Sequence, residues 1–189
     1  MADRALHFTG NPEADAYLVS EPLALLIGFV LDQQITVQHA FSGPLTLRQR
    51  LGHLDPKKIA GMDPDALAAV FRQRPALHRY PNAMARRVAD LCRVVVAEYG
   101  GQASRVWTEA RDGHDLQQRL LALPSIGPMK ARGMVAILHR RLGLDLPGMA
   151  EVLPTHPTLG DVDSDAALAA YQANKRAQKA AMRAAASAS

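Results

Sequence analysis

Asp55-Pro56 and Asp63-Pro64 repeat one device: a carboxylate able to accept from free N–H groups, then a proline where the first helical residue stands. Ser20-Glu21-Pro22 is a third start of this kind, and Leu23, Leu26, Ile27, Val30 and Leu31 follow it on one helical face. Leu67, Val70 and Phe71 make the apolar face after Asp63-Pro64. The longest periodic run, Asn82 to Tyr99, turns Met84, Val88, Leu91 and Val95 inward, and Gly100-Gly101 stops it. Thr46 and Gln49 suggest a capping box for a short helix ending at Gly52. Further helices are expected from about His114 to Ala122, using Leu116, Leu120 and Leu121, and from Pro128 to about Leu142. No stretch alternates with the period of a strand, and no fixed-length repeat occurs. The fold class expected is therefore all-α.

Three segments frame that body. Residues 1–19 lack periodicity and read as an irregular lead-in, and residues 143–163, rich in Pro and Gly, read as a long loop closing the 20–163 domain. Residues 164–189 form a basic, Ala-rich helix or tail expected to fray at its Ala/Ser end. The end of the tail also explains the net charge of +4, because Lys175, Arg176, Lys179 and Arg183 lie within residues 171–189, where there is no acid. Acidic and basic residues balance over the rest, so a nucleic-acid site must rest on local patches.

Cys92 is the single cysteine, which excludes an internal disulfide or a cluster built on several thiolates. His39 and His139 lack companions at metal-ligand spacing, so neither metal nor cofactor is expected. Asp3 and Arg4 at the N-terminus argue against a signal peptide, and Leu23 to Leu31 is too short an apolar run to span a membrane. A cytoplasmic, nucleoid-associated monomer is the expectation. Trp107 reads as packing between helices.

Leu123-Pro124-Ser125-Ile126-Gly127-Pro128-Met129-Lys130-Ala131 carries the most information about function. A helix ends, a glycine-bearing turn follows, and a second helix starts at once. Such a turn aims unpaired N–H groups outward, where a phosphate can accept from them. Ser125, Ile126, Gly127 and Pro128 form the turn, with Ile126 directed inward, and Lys130, Arg132, Arg140 and Arg141 add positive charge. The alternative is an ordinary helical corner without a ligand.

This segment resembles the helix-hairpin-helix motif, Leu-Pro-Gly-hydrophobic-Gly followed by a helix, with Ser125 replacing the first glycine. Leu31-Asp32-Gln33-Gln34-Ile35-Thr36 resembles a second signature of the helix-hairpin-helix-GPD DNA glycosylases. Pro75 to Pro81, then Met84-Ala85-Arg86-Arg87-Val88 and the basic tail, are similar to a compact bacterial base-excision repair branch of that superfamily. The resemblance covers roughly residues 20–145. It implies a two-lobed helical fold with a hairpin between its DNA-facing helices, and double-stranded DNA with damaged bases or abasic sites as partner. It implies that Gln34 enters the duplex in place of an extruded base, a task that suits an amide able both to donate and to accept. Equally, Gln33 and Gln34 could bond a neighbouring helix end.

The implied activity is release of a damaged base, alkylated bases among them, by a monofunctional N-glycosylase. Superfamily enzymes place a carboxylate beyond the hairpin helix to stabilise charge on the sugar. Its expected place falls on Pro147, so Asp145 is the nearest candidate, with Asp161 and Asp163 as alternatives farther along. Members that also cut the backbone carry a lysine where Met129 stands. Lys130, about 100° further around the helix, would serve only if the hairpin were shifted and otherwise reads as phosphate-facing or solvated. His78 and Tyr80 are candidates to line the base pocket, or merely to cap the next helix. A non-catalytic protein that keeps the hairpin and the Gln34 wedge is the competing function, and a helical adaptor using the basic tail is a third.

Overall fold

The computed structural model describes residues 5–187; Asp3 and Arg4, on which the leader argument rests, lie outside the described residues, as do residues 188–189. Every regular element among the described residues is helical, with no strand among them. In chain order the helices are α1 (Pro12–Ser20), α2 (Pro22–Leu31), α3 (Val37–Leu51), α4 (Pro56–Ala60), α5 (Pro64–Arg72) and α6 (Pro81–Tyr99). There follow α7 (Arg105–Thr108), α8 (Gly113–Leu121), α9 (Pro128–Arg140), α10 (Met149–Val152), a 3-10 turn (Leu159–Asp161) and α11 (Asp165–Ser187). No single described helix is long and apolar enough to cross a membrane.

The proline device works as its chemistry requires. Asp55 Oδ1 accepts from Lys57 N at 2.8 Å, and Asp63 Oδ1 accepts from Ala66 N at 2.9 Å. The same device occurs at Asn11-Pro12, which corrects the reading of residues 1–19 as irregular: Asn11 Oδ1 accepts from Glu13 N at 2.9 Å and opens α1. Only Ala14, Asp15 and Leu18 of α1 are buried, too few to make a periodic pattern. Asp15 then secures the preceding chain by accepting from Phe8 N and Thr9 N at 3.0 and 3.1 Å.

α3 differs from expectation as well. Thr36, not Thr46, caps it, and the helix runs unbroken through Pro44. Thr46 lies in its interior and donates back to Ser42 O at 3.3 Å, so no capping box forms there. The expected loop over 143–163 contains α10 and the 3-10 turn, whereas the Ala-rich end stays helical to Ser187. Trp107 is buried in α7, as packing requires.

α1, α2 and α3 pack together, α4 and α5 lie against α6, and α8 and α10 lie against α9, with α2 also touching α6. Close approach of α2 and α3 depends on small residues. A Cβ at Gly28 would stand 2.5 Å from Phe41, and one at Gly43 would stand 2.6 Å from Leu31. The buried apolar side chains form one connected core from Leu6 to Leu168. The C-terminal end of α2 and the N-terminal end of α9 thus meet over a common core, and the site is built there.

Candidate nucleic-acid interface and its cavity

The last carbonyls of a helix have no partner within it. At the end of α2 each finds one elsewhere. Leu31 O accepts from Gln33 N at 2.7 Å, Val30 O from Gln33 Nε2 at 2.8 Å, and Phe29 O from Lys130 Nζ at 2.5 Å. The lysine arrives from the first turn of α9 and places a cation where the helix dipole favours one. One side chain therefore staples the hairpin to the glutamine turn.

The two glutamines divide the roles that the sequence left open. Gln33 is tied inward: beyond its bond to Val30, its Oε1 accepts from Arg87 of α6 and its backbone carbonyl accepts from His78 Nε2 at 2.9 Å. Gln34 is exposed, with its backbone in the left-handed region at φ +58°. Its side chain makes only a long hydrogen bond, accepting from Tyr80 Oη at 3.4 Å.

His78 is buried, with both ring nitrogens occupied. Nε2 donates to Gln33 O, and Nδ1 accepts from Tyr80 N at 2.9 Å. Burial holds its pKa below the ordinary 6.5. It is a strut under the glutamine turn and not a pocket wall, which corrects the pairing of His78 with Tyr80 as base-lining residues. Tyr80 is 44% exposed and faces Gln34.

Across a groove of about 440 Å³ lies the hairpin. Ser125 adopts φ +64°, the conformation for which glycine is the usual choice and which the resemblance assigns to the motif's first glycine. Ile126 is buried, as expected. Gly127 is the N-cap of α9 and offers no side chain to cap it, so the N–H groups of Met129 and Lys130 receive no capping acceptor. A Cβ on Gly127 would meet nothing within 4 Å, which leaves the approach open. A phosphate oxygen fits such a helix start. Arg132 is exposed on the same helix. Lys130, in contrast, is partly buried, its amine donating to Phe29 O and, at 3.5 Å, to Ser125 O; burial pushes its pKa down to about 8.

Behind Lys130 opens a cavity of about 490 Å³, within the range of about 300–1,000 Å³ usual for small-ligand sites. Phe29 and Asp32 line it from α2, Met129 and Lys130 from α9, and Tyr171 and Lys175 from α11. None of the three aspartates expected from sequence lines it. Asp145 is exposed in the chain just past α9, where Leu144 N donates to Leu138 O at 2.8 Å. The ten helical steps from Lys130 to Arg140 set that end about 15 Å from the hairpin. Asp161 is spent on structure, since its Oδ2 accepts from Thr158 N at 2.8 Å and its Oδ1 pairs with Arg140. Asp163 is exposed and accepts from Ser164 Oγ at 3.2 Å.

Sequence reasoning overlooked Asp32, Arg87, Tyr171 and Lys175. Asp32 had a signal, standing directly before the glutamine pair. The α11 residues had none, because only the return of the C-terminal helix over the cavity brings them there.

A family model, HhH-GPD superfamily base excision DNA repair protein, matches residues 27–186. No curated protein and no solved structure matches the chain. A match running from the middle of α2 into the last turns of α11 includes the glutamine turn, the hairpin and every wall of the cavity. The chain belongs to the HhH-GPD superfamily of base excision DNA repair proteins.

Proposed function

We propose that this member of a DNA-binding repair family is a monofunctional DNA N-glycosylase, which releases a damaged base by hydrolysis and leaves the backbone intact. The observation carrying this reading is the cavity beside the glutamine turn and the hairpin, large enough to receive an extruded base. The hairpin N–H groups hold a phosphate, Gln34 enters the duplex, and the base it displaces rotates into the cavity. Met129 stands where backbone-cleaving members carry an imine-forming lysine, and a thioether forms no imine. The Lys130 amine is engaged with the carbonyls of Phe29 and Ser125.

The test is a panel of duplexes, each with one damaged base, incubated with purified protein and then divided between alkali and neutral buffer. Strand scission after alkali alone is the expected result. Scission in neutral buffer contradicts the monofunctional assignment, and no scission with any duplex contradicts glycosylase activity. A second reading, damage binding without chemistry, draws on the absence of Asp145, Asp161 and Asp163 from the cavity wall. It requires tight binding to an abasic duplex together with no base release.

A further inference from the structure

Asp32 is the sole acidic residue among those lining the cavity. It caps the C-terminus of α2, where a negative charge meets the negative end of the helix dipole. The carboxylate bonded to the cavity wall at Thr158, Asp161, is committed to Thr158 and Arg140. The Asp32 carboxylate accepts no hydrogen bond and takes part in no ion pair among the described residues, though it is partly withdrawn from water. Lys130 from α9 and Lys175 from α11 act on it only through space, and Tyr171, His156, Thr158, Asn174 and Gln178 are the other polar residues of the lining. Desolvation raises its pKa above the ordinary 3.8, and the two lysines draw it partly back. A carboxylate withdrawn from water and given no partner is costly unless a ligand uses it.

We propose that Asp32 is the catalytic carboxylate of base excision in this chain, acting from the glutamine side of the cavity and not from the loop after α9. The proposal rests on the glycosylase reading. Asp32 and Gln34 are two residues apart, so their Cα atoms lie no more than about 7 Å from each other. On the glycosylase reading the displaced nucleotide enters the cavity that Asp32 lines, which sets its sugar beside the Asp32 carboxylate. As the C1′–N bond breaks, its electron pair leaves with the base and C1′ gains oxocarbenium character, which the carboxylate stabilises. Water then forms the new C1′–O bond and gives a proton to Asp32, which passes it to solvent. The departing base nitrogen takes up a proton from solvent, so the net change is hydrolysis.

Single-turnover base release from a duplex that wild-type protein processes tests the assignment, alongside affinity for an abasic-site duplex. Asp32→Asn is expected to slow release by about 100-fold or more while changing affinity by less than about threefold. Asp145→Asn is expected to change neither. The wild-type rate should fall on the acid side with a midpoint above 3.8, the limb of a carboxylate that must be ionised. Asp32→Glu should retain that limb with reduced rate. Wild-type rates from a folded Asp32→Asn protein overturn the assignment and leave the glycosylase reading standing. An inactive wild type across the whole panel overturns both. If Asp32→Asn loses abasic-site binding, the acid limb decides: a rate flat down to the ordinary aspartate pKa overturns the assignment.

Discussion

Two turns face each other across the groove, and each holds a non-glycine residue in the left-handed backbone region: Gln34 at φ +58° and Ser125 at φ +64°. Such a residue persists only where its surroundings over-determine it. At the glutamine turn the surroundings are side chains, with Gln33, Arg87 and His78 holding the backbone so that Gln34 is presented outward. At the hairpin they are the chain itself, with Ile126 buried beneath the turn and Pro128 starting α9. The Ser125 side chain makes no hydrogen bond among the described residues. One turn therefore uses its strain to display a side chain, and the other to display backbone N–H groups.

Removing the strut of the first turn should have the largest effect. In His78→Leu the Gln33 carbonyl and the Tyr80 N–H lose their partner at a buried position, a cost of about 2–4 kcal/mol in unfolding free energy. Acid should act in the same direction. The unfolded histidine takes up a proton as pH falls through about 6.5, whereas the folded one, with its pKa lowered by burial, resists it. Stability present above that pH is then lost progressively down to the folded value. A proton on Nδ1 also opposes the Tyr80 N–H that this nitrogen accepts from. Urea midpoints measured near neutral pH and near pH 5.5 check this, with a drop in wild type that His78→Leu does not share.

The comparison sharpens with two variants that spare the fold. Gln34→Ala removes the displayed side chain, and Gly127→Ala puts a methyl group in the open approach to the hairpin N–H groups. Gly127 has φ −90°, which alanine adopts readily, so stability should move by no more than about 0.5 kcal/mol in either variant. DNA affinity should separate them. Gly127→Ala is expected to weaken damaged and undamaged duplexes alike, by about tenfold, because a phosphate contact carries no sequence information. Gln34→Ala should weaken an abasic or lesion duplex and leave the intact one nearly unchanged. Equal losses from both variants on both duplexes would mean that the turns do not divide the work in this way.

Much of this arrangement is legible along the chain, and the illegible part has a common cause. The cap-and-proline pairs, the apolar spacing of α6 and the burial of Ile126 are local properties, and each stands in the structure as read. The helix α1 was missed because its cap lies beside a buried face too short to show a period. The candidate carboxylate was sought by counting from Gly127, and that count follows α9 to its far end, away from the cavity. Asp32 lies there because α2 and α9 meet end to end, a fact of packing between segments about a hundred residues apart. The Lys130–Phe29 bond that records the meeting joins a side chain to a carbonyl, and no residue type announces a carbonyl in need of a donor.

The smallest effect should come from the hairpin, and its sign is the informative part. Ser125→Gly gives the left-handed position a residue without a Cβ, and the serine side chain leaves no hydrogen bond behind. Relief of strain outweighs the extra freedom of glycine in the unfolded chain when φ is positive, so a gain of about 0.5–1 kcal/mol is expected. Affinity for DNA should be retained, since the N–H groups proposed to meet the phosphate belong to the start of α9 and not to residue 125. Gln34→Gly provides the control across the groove: it relieves the same backbone strain but deletes the amide, so it should gain stability and lose lesion binding. A gain in stability with unchanged DNA binding at 125, set against a gain with lost binding at 34, separates strain held for the backbone from strain held for a side chain. If Ser125→Gly instead destabilises the protein, the serine contributes something to the turn that its hydrogen bonds do not record, and the two turns are more alike than their contacts suggest.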